Sequence, residues 1–102
     1  MRTILIVEDD QLFRKALMTF LTSLGFETYG VATGEEALRE VSWSNCDLVL
    51  IDYYLPGMNG IELAATLRSA ERTHRIGLIM ITSRYSEKHR AMALDAGVDV
   101  FM

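Results

Sequence analysis

The residues of this chain best suited to chemistry are carboxylates standing at the ends of apolar runs. Ile4-Leu5-Ile6-Val7 leads into Glu8-Asp9-Asp10, and Leu48-Val49-Leu50-Ile51 leads into Asp52. A short apolar run that stops at an acid reads as a buried parallel strand delivering that acid to a sheet edge. In open α/β sheets, ligands bind beyond the carboxyl ends of the strands, where strand order reverses. If these two strands are neighbours, Glu8, Asp9 and Asp52 converge on one small volume. Like charges so close are costly unless a cation sits among them. The pattern predicts a metal site with an activated oxygen nucleophile.

The elements that must position these acids follow from periodicity. Thr3–Val7 is the first strand. Gln11–Leu24 has apolar residues at Leu12, Phe13, Ala16, Leu17, Phe20, Leu21 and Leu24, the spacing of a helix with one buried stripe. Asp10 suits its N-cap and Gly25 its end. Phe26–Val31 is a second, weaker strand. Gly34-Glu35-Glu36 opens a helix with acids in its first turn, and it runs to about Trp43, which is expected to pack. Asp47–Ile51 is the third strand, Tyr53–Asn59 a loop with the one proline, and Ile61–Arg68 a third helix. Ile76–Ile81 is the fourth strand. Ser86 caps a fourth helix that reaches Ala96 and stops at Gly97, and Val98–Met102 begins a fifth strand.

Strands alternating with helices mean a parallel sheet covered by helices, an α/β fold. Right-handed crossovers leave few topologies. Five strands with the first near the middle match a doubly wound order 2-1-3-4-5. That order puts Glu8 and Asp9 beside Asp52, with Thr82 flanking Asp52 on the other side.

The 102 residues suffice for one domain, expected to span 1–102. The net charge of −4 argues against a nucleic-acid surface. No apolar run approaches the roughly 20 residues of a membrane span, and no signal peptide is visible. Cys46 is the one cysteine, so a disulfide framework is excluded and a reducing cytoplasm is the natural setting.

Four separated segments, in order, resemble the receiver domain of two-component response regulators: Ile4–Asp10, Asp52-x-x-Leu55-Pro56-Gly57-Met58-Asn59-Gly60, Ile81-Thr82-Ser83 and Asp95-Ala96-Gly97-Val98-Asp99. The resemblance covers essentially the whole chain. It implies a flavodoxin-like fold, and the strand order above is the family's own. It implies that Asp52 is the phosphoacceptor, that Glu8 and Asp9 hold Mg²⁺ with Asp9 a direct ligand, and that Tyr54 offers its backbone carbonyl to the ion. Thr82 matches the switch hydroxyl and Phe101 the aromatic that changes rotamer. The implied partner is a sensor histidine kinase or a phosphotransfer protein. The expected activity is that of a signalling phosphoacceptor that catalyses only its own phosphorylation and dephosphorylation.

Mg²⁺ suits such a site, being a hard ion that takes about six oxygens near 2.0–2.1 Å. Clustered cysteine or histidine, which would suggest zinc, is absent from the sequence. The family carries a lysine shortly past the switch aromatic and then a fifth helix, whereas this chain stops at Met102. A chain truncated there is expected to phosphorylate poorly and to self-associate through uncovered sheet surface. Two other readings compete. One is an interaction module that keeps the fold without phosphorylation. The other is a Mg²⁺-dependent phosphohydrolase, which would need an acid where Tyr54 stands. His74, His89 and the arginines Arg68, Arg72 and Arg75 read as solvated surface, and Cys46 as a buried thiol.

Overall fold

Three runs of aliphatic residues form the inner strands of a parallel sheet: β1 (Thr3–Val7), β3 (Leu48–Asp52) and β4 (Gly77–Ile81). β2 (Glu27–Val31) and β5 (Val100–Phe101) form its edges, and the order is β2-β1-β3-β4-β5. The structure is a computed structural model that describes residues 2–43 and 45–102, with 42 and 43 described for their backbone alone. The packing expected of Trp43 therefore falls on a side chain outside those described.

Four helices join the strands among the described residues: α1 (Gln11–Ser23), α2 (Gly34–Trp43), α3 (Gly60–Ser69) and α4 (Glu87–Asp95). The first crossover steps from β1 to β2 and the later ones step the opposite way. Right-handed connections then put α1 on one face and α2, α3 and α4 on the other. The second face is dry: Leu5, Val7, Val49, Ile51, Leu78 and Met80 pack against Ala37, Leu63, Leu67 and Ala93. β1 is buried on both faces, as a central parallel strand should be.

The α1 face is less covered. The buried stripe expected on α1 is not formed: none of its residues is fully buried, and Leu12, Phe13, Phe20 and Leu24 are exposed. The helix lies over β2 at Gly30, where an added Cβ would come within 2.6 Å of Met18 Sδ. Among the described residues no second helix flanks it on that face, so its remaining apolar positions have nothing to pack against. Leu48, Leu50, Ile79 and Ile81, which point the same way, are only half-buried.

The capping residues act as expected. Asp10 accepts from the N–H groups of Leu12 and Phe13, Ser86 from His89, and Gly25 and Gly97 take the positive φ that ends α1 and α4. α3 begins one residue earlier than expected, because Asn59 and Glu62 form a reciprocal capping box. β5 is shorter than expected. Asp99, just before it, turns its carboxylate back to the Leu78 N–H at 2.8 Å.

Two surface assignments are corrected. Arg68 is not solvated: its guanidinium donates to the carbonyls of Gly97, His74 and Ile76 and pairs with Asp99 at 2.7 Å. His89 is not free at the surface: its ring stacks on Tyr53, centroids 4.5 Å apart, and its Nδ1 is buried with no hydrogen-bond partner among the described residues. His74 is exposed, and Cys46 is half-buried with its thiol donating to the Leu48 carbonyl at 3.1 Å.

Candidate functional site

β1 and β3 are adjacent, and their register pairs Val7 with Ile51, so the residues that follow both strands emerge side by side. Oxygens of Glu8, Asp9 and Asp52 lie within 4.8 Å of one another. A cavity of about 520 Å³ opens over them, lined by Glu8, Asp9, Asp10, Phe13, Asp52, Tyr54, Ile81, Thr82 and Ser83. Five of the six residues singled out from the sequence thus share one pocket. Phe101 does not line it. It is buried on β5, with its ring 5.7 Å from that of Tyr85.

Each acid is held differently. Glu8 is buried, and its carboxylate accepts the Asp10 N–H at 3.0 Å. Asp9 is exposed in the mouth. Asp52 is half-buried and accepts the Tyr54 N–H at 3.3 Å. Beneath it α3 starts at Gly60, where a Cβ would stand 2.6 Å from the Asp52 carbonyl oxygen. Glycine there lets the helix approach the strand end. Burial pushes the Asp52 carboxyl above its ordinary value, and the Asp9 charge adds to the rise. Burial raises Glu8 further, to about 7, with the Asp52 charge contributing. Burial first and neighbouring carboxylates second disfavour the charged forms.

The donor set fits a hard divalent cation. It offers carboxylate oxygens, and among the described residues no thiolate or imidazole lines the cavity. Thr82 sits across the mouth. Its hydroxyl accepts the Arg84 N–H at 3.1 Å, a local turn that leaves the side chain at the pocket wall.

Sequence reading missed Phe13 as a wall residue, because its helical spacing marks it as packing. It also missed the row formed by Tyr54, Tyr53 and His89, in which Tyr54 meets Tyr53 edge-on at 4.7 Å. No local pattern carries that contact, since His89 comes from α4.

Comparison with known proteins gives a consistent picture. The sequence profile described as "Response regulator receiver domain" matches residues 4–102. Sensory transduction protein RegX3 of Mycolicibacterium smegmatis is 36% identical over 102 residues, all of this chain and 43% of that protein. Phosphate regulon transcriptional regulatory protein PhoB of Rhizobium meliloti is 35% identical over 99 residues, 97% of this chain and 44% of that protein. This chain therefore spans less than half the length of those relatives. Among solved structures, a CheY-like response regulator receiver domain protein of Methanospirillum hungatei superposes with a TM-score of 0.92 at 29% identity, covering 100% of this chain and 80% of that one. The receiver domain of sensor histidine kinase PA1611 from Pseudomonas aeruginosa, which has a magnesium ion coordinated in its active site cleft, gives 0.89 at 29% identity, covering 99% and 83%.

Proposed function

The chain belongs to the response regulator receiver domain family, and from that membership we propose that residues 1–102 act as one phosphoacceptor unit with Asp52 as the acceptor. Receiver domains are signalling domains of two-component systems, working with histidine kinases or phosphotransfer proteins. The observation that carries the assignment is the convergence of Glu8, Asp9 and Asp52 oxygens within 4.8 Å inside a cavity that Thr82 also lines.

A carboxylate oxygen of Asp52 attacks the phosphorus of a phosphohistidine on the donor protein. The P–N bond breaks as the new P–O bond forms, and the departing imidazole keeps the electron pair. Glu8, Asp9, Asp52 and the Tyr54 backbone carbonyl would hold Mg²⁺, which neutralises charge between the anionic phosphoryl group and the acids. The magnesium held by the PA1611 receiver domain supports that choice of ion. Leu12 and Phe13, exposed at the N-terminal end of α1, give an apolar shoulder where a donor protein would rest, Phe13 at the cavity wall itself.

The product is an aspartyl phosphate. The Thr82 hydroxyl would leave its turn with Arg84 and donate to a phosphoryl oxygen, and Phe101 would rotate into the space behind it. Turnover is limited to this domain's own phosphorylation and dephosphorylation, in the cytoplasm.

The test is labelling by a small phosphodonor such as acetyl phosphate with Mg²⁺. Wild-type protein should slowly gain an acid-stable, base-labile phosphoryl group, and Asp52→Asn should gain none. Equal labelling of the two would remove Asp52 from the role. Beryllofluoride, which binds without transfer, should show saturable Mg²⁺-dependent binding even where labelling is slow.

A further inference from the structure

Arg14 stands on α1, outside the lining of the acidic cavity, yet it is tied to both ends of the turn that carries the acids. Its backbone N–H donates to the Asp10 carbonyl at 2.9 Å, the first bond of the helix. Its Nη1 donates to the Glu8 carbonyl at 2.7 Å. Asp9 is the residue between those two anchored carbonyls.

The Glu8 carbonyl lies where the sheet runs out. The β1–β2 register ends at Val7 and Val31, and the Glu8 N–H still reaches the Val31 carbonyl at 3.0 Å. Beyond Val31 the chain bends toward α2, and the Ala32 N–H turns to the Glu36 carboxylate at 3.1 Å. Past the end of that ladder the Glu8 carbonyl takes its hydrogen bond from the Arg14 side chain. Gly30 clears the path of that side chain: a Cβ there would come within 3.0 Å of Arg14 Cδ as well as 2.6 Å of Met18 Sδ.

We propose that Arg14 is a positioning residue for the cation, pinning the Glu8–Asp10 turn so that its acids face Asp52 before the ion arrives. Guanidinium has no acceptor and does not itself ligate. Its effect is on the geometry of the groups that do. This rests on the reading of the cavity as a Mg²⁺ site.

The test measures Mg²⁺ affinity of the whole chain by calorimetry, with amide hydrogen exchange on the metal-free protein beside it. Arg14→Met keeps the aliphatic packing and loses the donor. It should weaken Mg²⁺ binding about tenfold, the low end of what loss of a ligand-orienting partner costs. The Asp10 amide, which donates to the Glu8 carboxylate, should exchange faster in that variant, while the Leu63 amide on α3 stays as in wild type. Met18→Ala removes packing over the same glycine without touching the hydrogen bond. It should lower thermal stability but keep Mg²⁺ affinity within about twofold of wild type. Arg14→Gln, too short to reach the carbonyl, repeats the measurement should Arg14→Met fail to fold. Wild-type affinity in the Arg14 variants, or an equal loss in Met18→Ala, would overturn the inference alone. A wild-type protein that binds no Mg²⁺ would overturn the cation site and this role with it.

Discussion

Burial, with a contribution from the Asp52 charge, raises the Glu8 carboxyl from 4.5 to about 7. A carboxyl whose folded value lies above its unfolded value holds its proton more tightly in the folded state. Between those two values the folded protein binds more protons than the unfolded chain, so stability falls as pH rises. Asp52, raised in the same direction, adds to the slope at its lower end. Metal-free protein is thus expected to melt at a lower temperature at about pH 8 than at about pH 5. Glu8→Gln should flatten that profile, and an unchanged slope in the variant would show that folding does not raise this carboxyl. Magnesium at about a hundredfold excess over its Kd should restore about 2.7 kcal/mol at the higher pH. At this scale the acids were legible from sequence because each ends an apolar run. Arg14 was not, since nothing in its neighbours shows that a strand glycine clears a lane for it.

The elements themselves could be read because β1, β3 and β4 are nearly unbroken aliphatic runs and because Asp10, Asn59 and Ser86 are good caps. What the pattern could not show is which faces would find partners. The stripe on α1 has the right spacing, but spacing records only which side is apolar. The joint between α3 and β5 was equally hidden. Arg68 and Asp99 are far apart in sequence, and Arg68 looked like an ordinary surface charge. Asp99 Oδ2 serves both the Leu78 N–H and the Arg68 guanidinium, at 2.8 and 2.7 Å. Loss of the partly exposed ion pair alone would cost little. Leaving the Leu78 amide without its acceptor costs more, so Asp99→Ala should lower unfolding free energy by about 1–3 kcal/mol. Urea denaturation measures this, and a midpoint equal to wild type would mean that water replaces the carboxylate.

On the scale of the whole molecule the sheet has unequal sides. One is packed by three helices and dry, while the other carries α1 and leaves Leu48, Leu50, Ile79 and Ile81 half-buried beside exposed Val100 and Met102. Apolar sheet surface left partly open favours association. Light scattering on this chain is expected to give a mass above the monomer's that grows with concentration, and a constant monomer mass would count against it. The rings of Tyr54, Tyr53 and His89 cross from the cavity wall to α4 with centroid spacings of 4.7 and 4.5 Å. Two phenol rings so close, one of them stacked on an imidazole, are expected to give near-ultraviolet circular dichroism a tyrosine band sensitive to this row. The domain therefore carries its own optical gauge, able to report without dye or label when the loop beside Asp52 and the helix behind it change their relative pose.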